Sequence, residues 1–167
     1  EQRIDAGRVV RRVALLADDY IGMRPTMLVQ VGDAVKRGQP LFEDKKNPGV
    51  IFAAPAAGTV VAVNRGEKRA FQSVVVELSA AELKGEPDQV AFTSYTGNEP
   101  AGLGRDQVAA LLLESGLWTS LRTRPFSKIP APGATPHAIF VTATDTNPHA
   151  PNPELIIRGH ERDFERG

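Results

Sequence analysis

The sequence contains no cysteine. That excludes a disulfide framework, a thiolate zinc site, a cysteine-ligated iron–sulfur cluster and a cysteine nucleophile. Aromatic residues are scarce, with one Trp, two Tyr and seven Phe in 167 residues. Stacking platforms for nucleic-acid bases are therefore not expected. An excess charge of either sign is also missing, because 20 basic and 20 acidic residues give a net charge of +0. Nucleic-acid binders usually carry a basic excess, so no nucleic-acid partner is expected. No apolar run approaches the roughly 20 residues of a membrane helix. The histidines, His137, His149 and His160, are spread without the spacing of metal ligands. No metal site is expected.

What is present is strand-and-turn grammar. From Val29 to Val63, short runs rich in β-branched residues alternate with Gly, Asp and Pro. Gly32-Asp33, Gly38, Pro55 and Gly58 punctuate those runs, as turns do in a chain of short strands. A weak internal repeat runs through it. Gly32-Asp33 leads to Glu43 eleven positions on, and Gly66-Glu67 leads to Glu77 at the same offset. Two such halves imply a pseudo-twofold arrangement of hairpins.

The rest divides by composition. Residues 1–12 are a polar lead-in, and Val13 to Leu16 is a short apolar run. Residues 82–104 are rich in Gly, Pro, Asn and charge, and read as a connector with a short strand at Val90-Ala91-Phe92. Arg105 to Ser115 has a helical stripe at Val108, Leu111, Leu112 and Ser115, with Gly116 as a C′ residue. Leu117 to Arg124 can add a helical turn or two before Pro125. Ser127 to Pro136 is a Pro-rich, stiff linker. Ala138 to Val141 is an apolar run of buried-strand type, and Glu154 to Glu165 reads as a helix. The fold class expected is thus α+β or mixed. A β-rich domain over 1–85 is followed by a connector over 86–134 with helix 105–115. The start of a Rossmann-like α/β unit follows over 135–167. A parallel sheet cannot be completed in the residues left, so a fragment of a longer protein is expected.

Two resemblances follow from particular strings. Val31-Gly32-Asp33 with Val35, Gly38 and Leu41, then Ala54-Pro55 with Gly58-Thr59-Val60, resemble the barrel-sandwich hybrid of biotinyl and lipoyl domains. Those domains carry a modified lysine in the hairpin between the two strands, where Lys45 and Lys46 stand here. The biotinyl Met-Lys-Met is absent, and Asn47-Pro48-Gly49 makes a tight turn of its own. A solvated basic turn is expected rather than an attached prosthetic group; a swinging-arm carrier is the alternative.

The second resemblance covers the chain from about Val9 almost to its end. Ile21 to Met27, Phe42 to Val50, Asn64-Arg65-Gly66, Ser115 to Lys128 and Ile139 to Pro148 are similar to the NqrA family of bacterial sodium-translocating NADH:quinone oxidoreductases. The resemblance implies a peripheral subunit on the cytoplasmic side of the inner membrane, assembled with the membrane subunits of a respiratory complex. That complex oxidises NADH, reduces ubiquinone and exports Na⁺. Its flavins and iron–sulfur centre are expected in other subunits, with no cofactor in this chain. Ubiquinone is a candidate ligand.

The family also resembles the flavoprotein subunit of respiratory complex I, where a glycine-rich loop cradles FMN. Such a cradle needs glycines because backbone amides approach phosphates closely. Here Trp118 to Arg122 occupy the position of that loop, and Thr142-Ala143-Thr144-Asp145 that of its acidic string. No flavin or nucleotide site is expected; a flavin- or NADH-binding fragment is the alternative.

Little other chemistry is legible. Asp18-Asp19 and Glu43-Asp44 are adjacent pairs, so on a strand their side chains face opposite sides. They read as solvated turn residues. Gly102 and Gly104 are too few for a dinucleotide fingerprint. No catalytic residue is assigned. The candidate contacts for a partner or a quinone are Arg122, Arg124 and Lys128 beside Trp118, together with Lys45 and Lys46. The competing reading makes the arginines caps of helix-end carbonyls.

Overall fold

A computed structural model describes residues 3–166 apart from 87, 98, 99, 143, 144 and 146. The chain divides into two compact units, one over Val10–Ala134 and one combining Glu1–Val9 with Thr135–Gly167.

The larger unit is built on two antiparallel sheets. Its strands are β1 (Arg12–Leu16), β2 (Pro25–Met27), β3 (Ala34–Val35), β4 (Pro40–Asp44), β5 (Ile51–Ala53), β6 (Gly58–Arg65) and β7 (Phe71–Leu78). One sheet has the order β1-β7-β6-β3 and the other β2-β4-β5. This is the barrel-sandwich architecture that the resemblance to biotinyl and lipoyl domains implies. The two strands of the internal repeat hold matching places: β4 lies between β2 and β5, and β7 between β1 and β6. Glu43 faces Thr26 and Ile51 in register, and Glu77 faces Arg12 and Thr59.

The alternation of side chains decides what the sheets bury. Leu41, Phe42, Val50, Phe52, Val60, Val74 and Val76 are each at most 1% exposed. Phe42 stacks on Phe52 with centroids 4.5 Å apart and meets Phe71 edge-on at 5.1 Å. The second contact joins the two sheets, since Phe42 is on β4 and Phe71 on β7. Offset and edge-on aromatic pairs add to the area they bury.

Helix α1 (Ala80–Leu83) follows β7, capped by Ser79 Oγ, which accepts from the Glu82 N–H at 3.1 Å. Glu82 pairs with the Arg37 guanidinium and accepts from the Ala57 N–H at 3.1 Å. The Arg37 hydrogen bond is the main cause of a carboxyl pKa below the ordinary range. Helix α2 (Arg105–Glu114) matches the predicted helix closely. Its packing face is rotated from the predicted stripe: Ala109, Leu112 and Leu113 meet the core, not Val108 and Leu111. Glu114, at its end, accepts from the Thr93 N–H and hydroxyl at 2.8 Å each and from the Ser94 N–H at 2.8 Å. The Ser94 hydroxyl donates to it as well.

Three local expectations fail. Val90 to Phe92 forms no strand; an isolated parallel bridge joins Arg37 and Gln89 instead. The run at Ala138 to Val141 is not in a strand, and Ile139, Phe140 and Val141 are 71%, 89% and 87% exposed. Apolar content marks a segment able to be buried but does not supply the neighbour that buries it. The helix expected over 154–165 is two short ones, α3 (Pro153–Ile157) and α4 (Glu161–Arg166), broken at Gly159 with φ +85°. Glycine readily takes that left-handed conformation, which stops a helix.

Candidate functional site

Three loops of the larger unit bring most of the candidate residues together. The first is a turn, closed by a hydrogen bond from the Met23 N–H to the Tyr20 carbonyl at 3.2 Å. Gly22 sits in it at φ +80°, the third position of such a turn, where φ is positive and glycine is favoured. The second is the hairpin between β4 and β5. There the Asn47 N–H donates to the Asp44 carbonyl and the Val50 N–H to the Asn47 carbonyl, both at 3.0 Å. The third runs from Leu117 to Ile129.

Asp44 joins the first two loops. Its Oδ1 accepts from the backbone N–H groups of Arg24 and Lys46 at 3.0 Å, and its Oδ2 from the Asn47 amide at 2.8 Å. The Lys45 N–H returns a bond to the Arg24 carbonyl at 2.8 Å. Asp44 is 2% exposed, so the solvated turn residue expected from the sequence is instead a buried carboxylate. Strand alternation explains this. The last residue of β4 points inward, and its buried charge is tolerated because three donors satisfy it. Glu43, its neighbour, is partly exposed and accepts from the Gly49 N–H at 2.6 Å.

Gly116, with φ +78°, precedes the third loop, which opens with a 3₁₀ turn at Leu117–Ser120. Trp118 is buried at 8% exposure in the core cluster, and its indole N–H donates to the Pro130 carbonyl at 2.9 Å. Arg122 is exposed. Its guanidinium donates to the carbonyls of Thr119 and Leu121, the second at 3.1 Å, and to that of Asp19 at 3.4 Å. The carbonyl-capping role expected of it is present. It also lies 5.1 Å above the Tyr20 ring, within cation–π range. Tyr20 in turn meets Phe52 edge-on at 4.7 Å. The Tyr20 hydroxyl has no hydrogen-bond partner among the described residues.

The two lysines converge on Gly22. A Cβ placed there would lie 3.9 Å from Lys46 Nζ and 3.9 Å from Lys128 Cε. Lys128 is fixed through its carbonyl, which accepts from the Thr123 N–H at 2.8 Å and the Thr123 hydroxyl at 3.0 Å. Lys45 and Arg124 are exposed, and the Lys45 backbone is tied to Arg24, just after the Gly22 turn. Among the described residues, Arg24, Lys45, Lys46, Arg124 and Lys128 form no ion pair. No group of three His, Asp or Glu side chains there could hold a metal. Of the string expected to replace an acidic cofactor motif, Ala143 and Thr144 lie outside the described residues.

Comparison with known proteins gives the family. The family model for the NqrA N-terminal barrel-sandwich hybrid domain matches residues 1–79, and that for the NqrA second alpha/beta domain matches residues 103–167. The chain belongs to the NqrA family. It is 54% identical over 167 residues to a protein of Histophilus somni (strain 129Pt) named as the A subunit of Na(+)-translocating NADH-quinone reductase, covering 100% of this chain and 36% of that relative. Proteins of the same name from Actinobacillus pleuropneumoniae serotype 5b and Shewanella amazonensis are also 54% identical, over 99% and 100% of this chain and 36% of each relative. The chain thus spans about a third of the length of the curated relatives it matches.

Sequence reasoning found the basic strings of this NqrA-family chain but missed Tyr20, Gly22 and Asp44. Tyr20 and Gly22 are about a hundred positions from Arg122 and Lys128, so only the fold joins them. Asp44 had a legible signal: it ends an alternating strand whose inward side already includes Phe42.

Proposed function

We propose that this NqrA-family chain is part of the NqrA subunit of a Na⁺-translocating NADH:quinone reductase, contributing surface for quinone and for partner subunits and no redox cofactor of its own. Support comes from identity of 54% across the whole chain to relatives bearing that subunit's name. In this reading the protein is peripheral and meets the membrane subunits from the cytoplasmic side. NADH oxidation and the flavin and iron–sulfur centres belong to those partners.

The quinone contact falls at Arg122 and Tyr20. A quinone head group is an apolar ring with two carbonyl acceptors, so it fits an apolar surface with a few convergent donors. The Tyr20 hydroxyl and the Arg122 guanidinium supply donors, and the buried Trp118 and Phe52 hold the surface rigid. Arg122 and Tyr20 position the ring; no proton or electron is assigned to them. Removing a charged hydrogen bond costs about 1.5–3 kcal/mol. Arg122→Gln in the assembled complex should therefore raise the KM for ubiquinone about tenfold or more and leave NADH oxidation by an artificial acceptor unchanged. An unaltered KM removes Arg122 from the quinone path.

A further inference from the structure

The Gly22 turn brings together two cations that the fold does not neutralise. Lys46 comes from the β4–β5 hairpin and Lys128 from the loop after Trp118, and both lie 3.9 Å from the place of a Gly22 Cβ. Like charges repel, and neither lysine has a carboxylate partner among the described residues. Asp44 is close to Lys46, but its two oxygens are occupied by the N–H groups of Arg24 and Lys46 and by the Asn47 amide. Asp18 and Asp19 precede the turn and pair with neither lysine. The Gly22 N–H has no acceptor among the described residues. The overall charge is +0, so this surface is a local sorting of charge.

Apolar side chains adjoin these cations in sequence: Ile21 precedes Gly22, and Phe126 is two residues before Lys128. Ile21 is 55% exposed and Phe126 is 70% exposed. Phe126 lies between Arg124 and Lys128 in a loop closed by the Ser127 N–H to Thr123 carbonyl bond at 2.8 Å. Aromatic and aliphatic tips flanked by Lys and Arg suit the headgroup layer of a bilayer, where the apolar part enters and the charged ends stay at the surface.

We propose that these loops bind an anionic membrane surface, with a lipid phosphate held between Lys46 and Lys128 above Gly22. A phosphate has enough acceptor oxygens to take bonds from two ammonium groups and a backbone N–H together, and the missing Cβ leaves room for it. Ile21 and Phe126 enter the interfacial layer on either side. The proposed function supplies only the setting, a complex at a membrane. The lipid site uses neither Arg122 nor Tyr20, the residues assigned to the quinone contact.

The test uses the full-length protein, purified alone, in co-sedimentation with vesicles. No quinone and no other component of the complex is present, so failure here leaves the quinone reading to its own KM measurement. Phosphatidylglycerol mixed with phosphatidylcholine should bind the protein, and phosphatidylcholine alone should not. Each lysine near an anionic surface is worth about fivefold in binding, so Lys46→Gln with Lys128→Gln should weaken it about 25-fold. Phe126→Ser should weaken binding while keeping its salt dependence. Lys84→Gln, on an exposed residue of another region, should have no effect. Equal binding to neutral vesicles, no binding at all, or an unchanged double variant would overturn the proposal. Displacement by inorganic phosphate at matched ionic strength would make it a free-anion site. Displacement by poly-glutamate but not by added anionic vesicles would make it a protein-docking surface. Either displacement overturns the membrane contact.

Discussion

Asp44 accepts a hydrogen bond from the Arg24 backbone N–H at 3.0 Å, across twenty positions of sequence. The same oxygen holds the Lys46 N–H, so one buried carboxylate fixes the entry to β2 and the hairpin that carries the lysines. Removing it leaves donors buried without their acceptor. Asp44→Ala should cost about 2–4 kcal/mol in urea unfolding. Asp44→Asn should cost less, because its oxygen can still serve Arg24 and Lys46 while its amide opposes that of Asn47. Equal, small losses for both variants would show that the two loops hold together without this carboxylate.

Gly116 sets the position of the 3₁₀ turn bearing Trp118. At φ +78°, a Cβ there would lie 2.9 Å from the Ala53 Cβ and 3.1 Å from the Ala53 nitrogen on β5. Gly116→Ala adds a strained backbone and a clash, for a loss of about 2–4 kcal/mol. Trp118 is the one tryptophan, so its fluorescence reports the change directly. A red shift is expected as the indole leaves the core. An unshifted spectrum with unchanged stability would mean the turn is not pinned against β5.

Glu114 ties the connector to the end of α2. The Ser94 hydroxyl first, then the N–H groups of Ser94 and Thr93 and the Thr93 hydroxyl, hold its carboxyl at about 2 against an ordinary 4.5. A depressed carboxyl stabilises the fold at pH above its unfolded value. That contribution is lost as pH falls from about 4.5 toward about 2. Glu114→Gln should flatten the acid side of the stability profile over that window and lower the plateau above it. A carbon-detected NMR titration of Glu114 giving an ordinary value would contradict the latch.

Much of the fold was legible because turns and alternation are local. Gly32, Gly38, Pro55 and Gly58 mark bends, and the valines of β7 mark a buried face. Gly116 ends α2 because a left-handed residue stops a helix, which depends on nothing distant. The run Ile139-Phe140-Val141 misled for the opposite reason, since burial of a strand depends on a partner elsewhere. The site was half legible. Composition showed basic residues at 45, 46, 122, 124 and 128, but not that Lys46 and Lys128 meet over Gly22 while Arg122 covers Tyr20. Those meetings are long-range contacts between three loops, and no spacing within the sequence encodes them.

The proposed role of this part of NqrA as a wall of the quinone path has one most direct test. A photoreactive ubiquinone is cross-linked in the full complex and the labelled peptides are mapped by mass spectrometry. The predicted result is labelling of the peptides that contain Tyr20 and Arg122, lost when excess ubiquinone competes. Labelling confined to other subunits would contradict it.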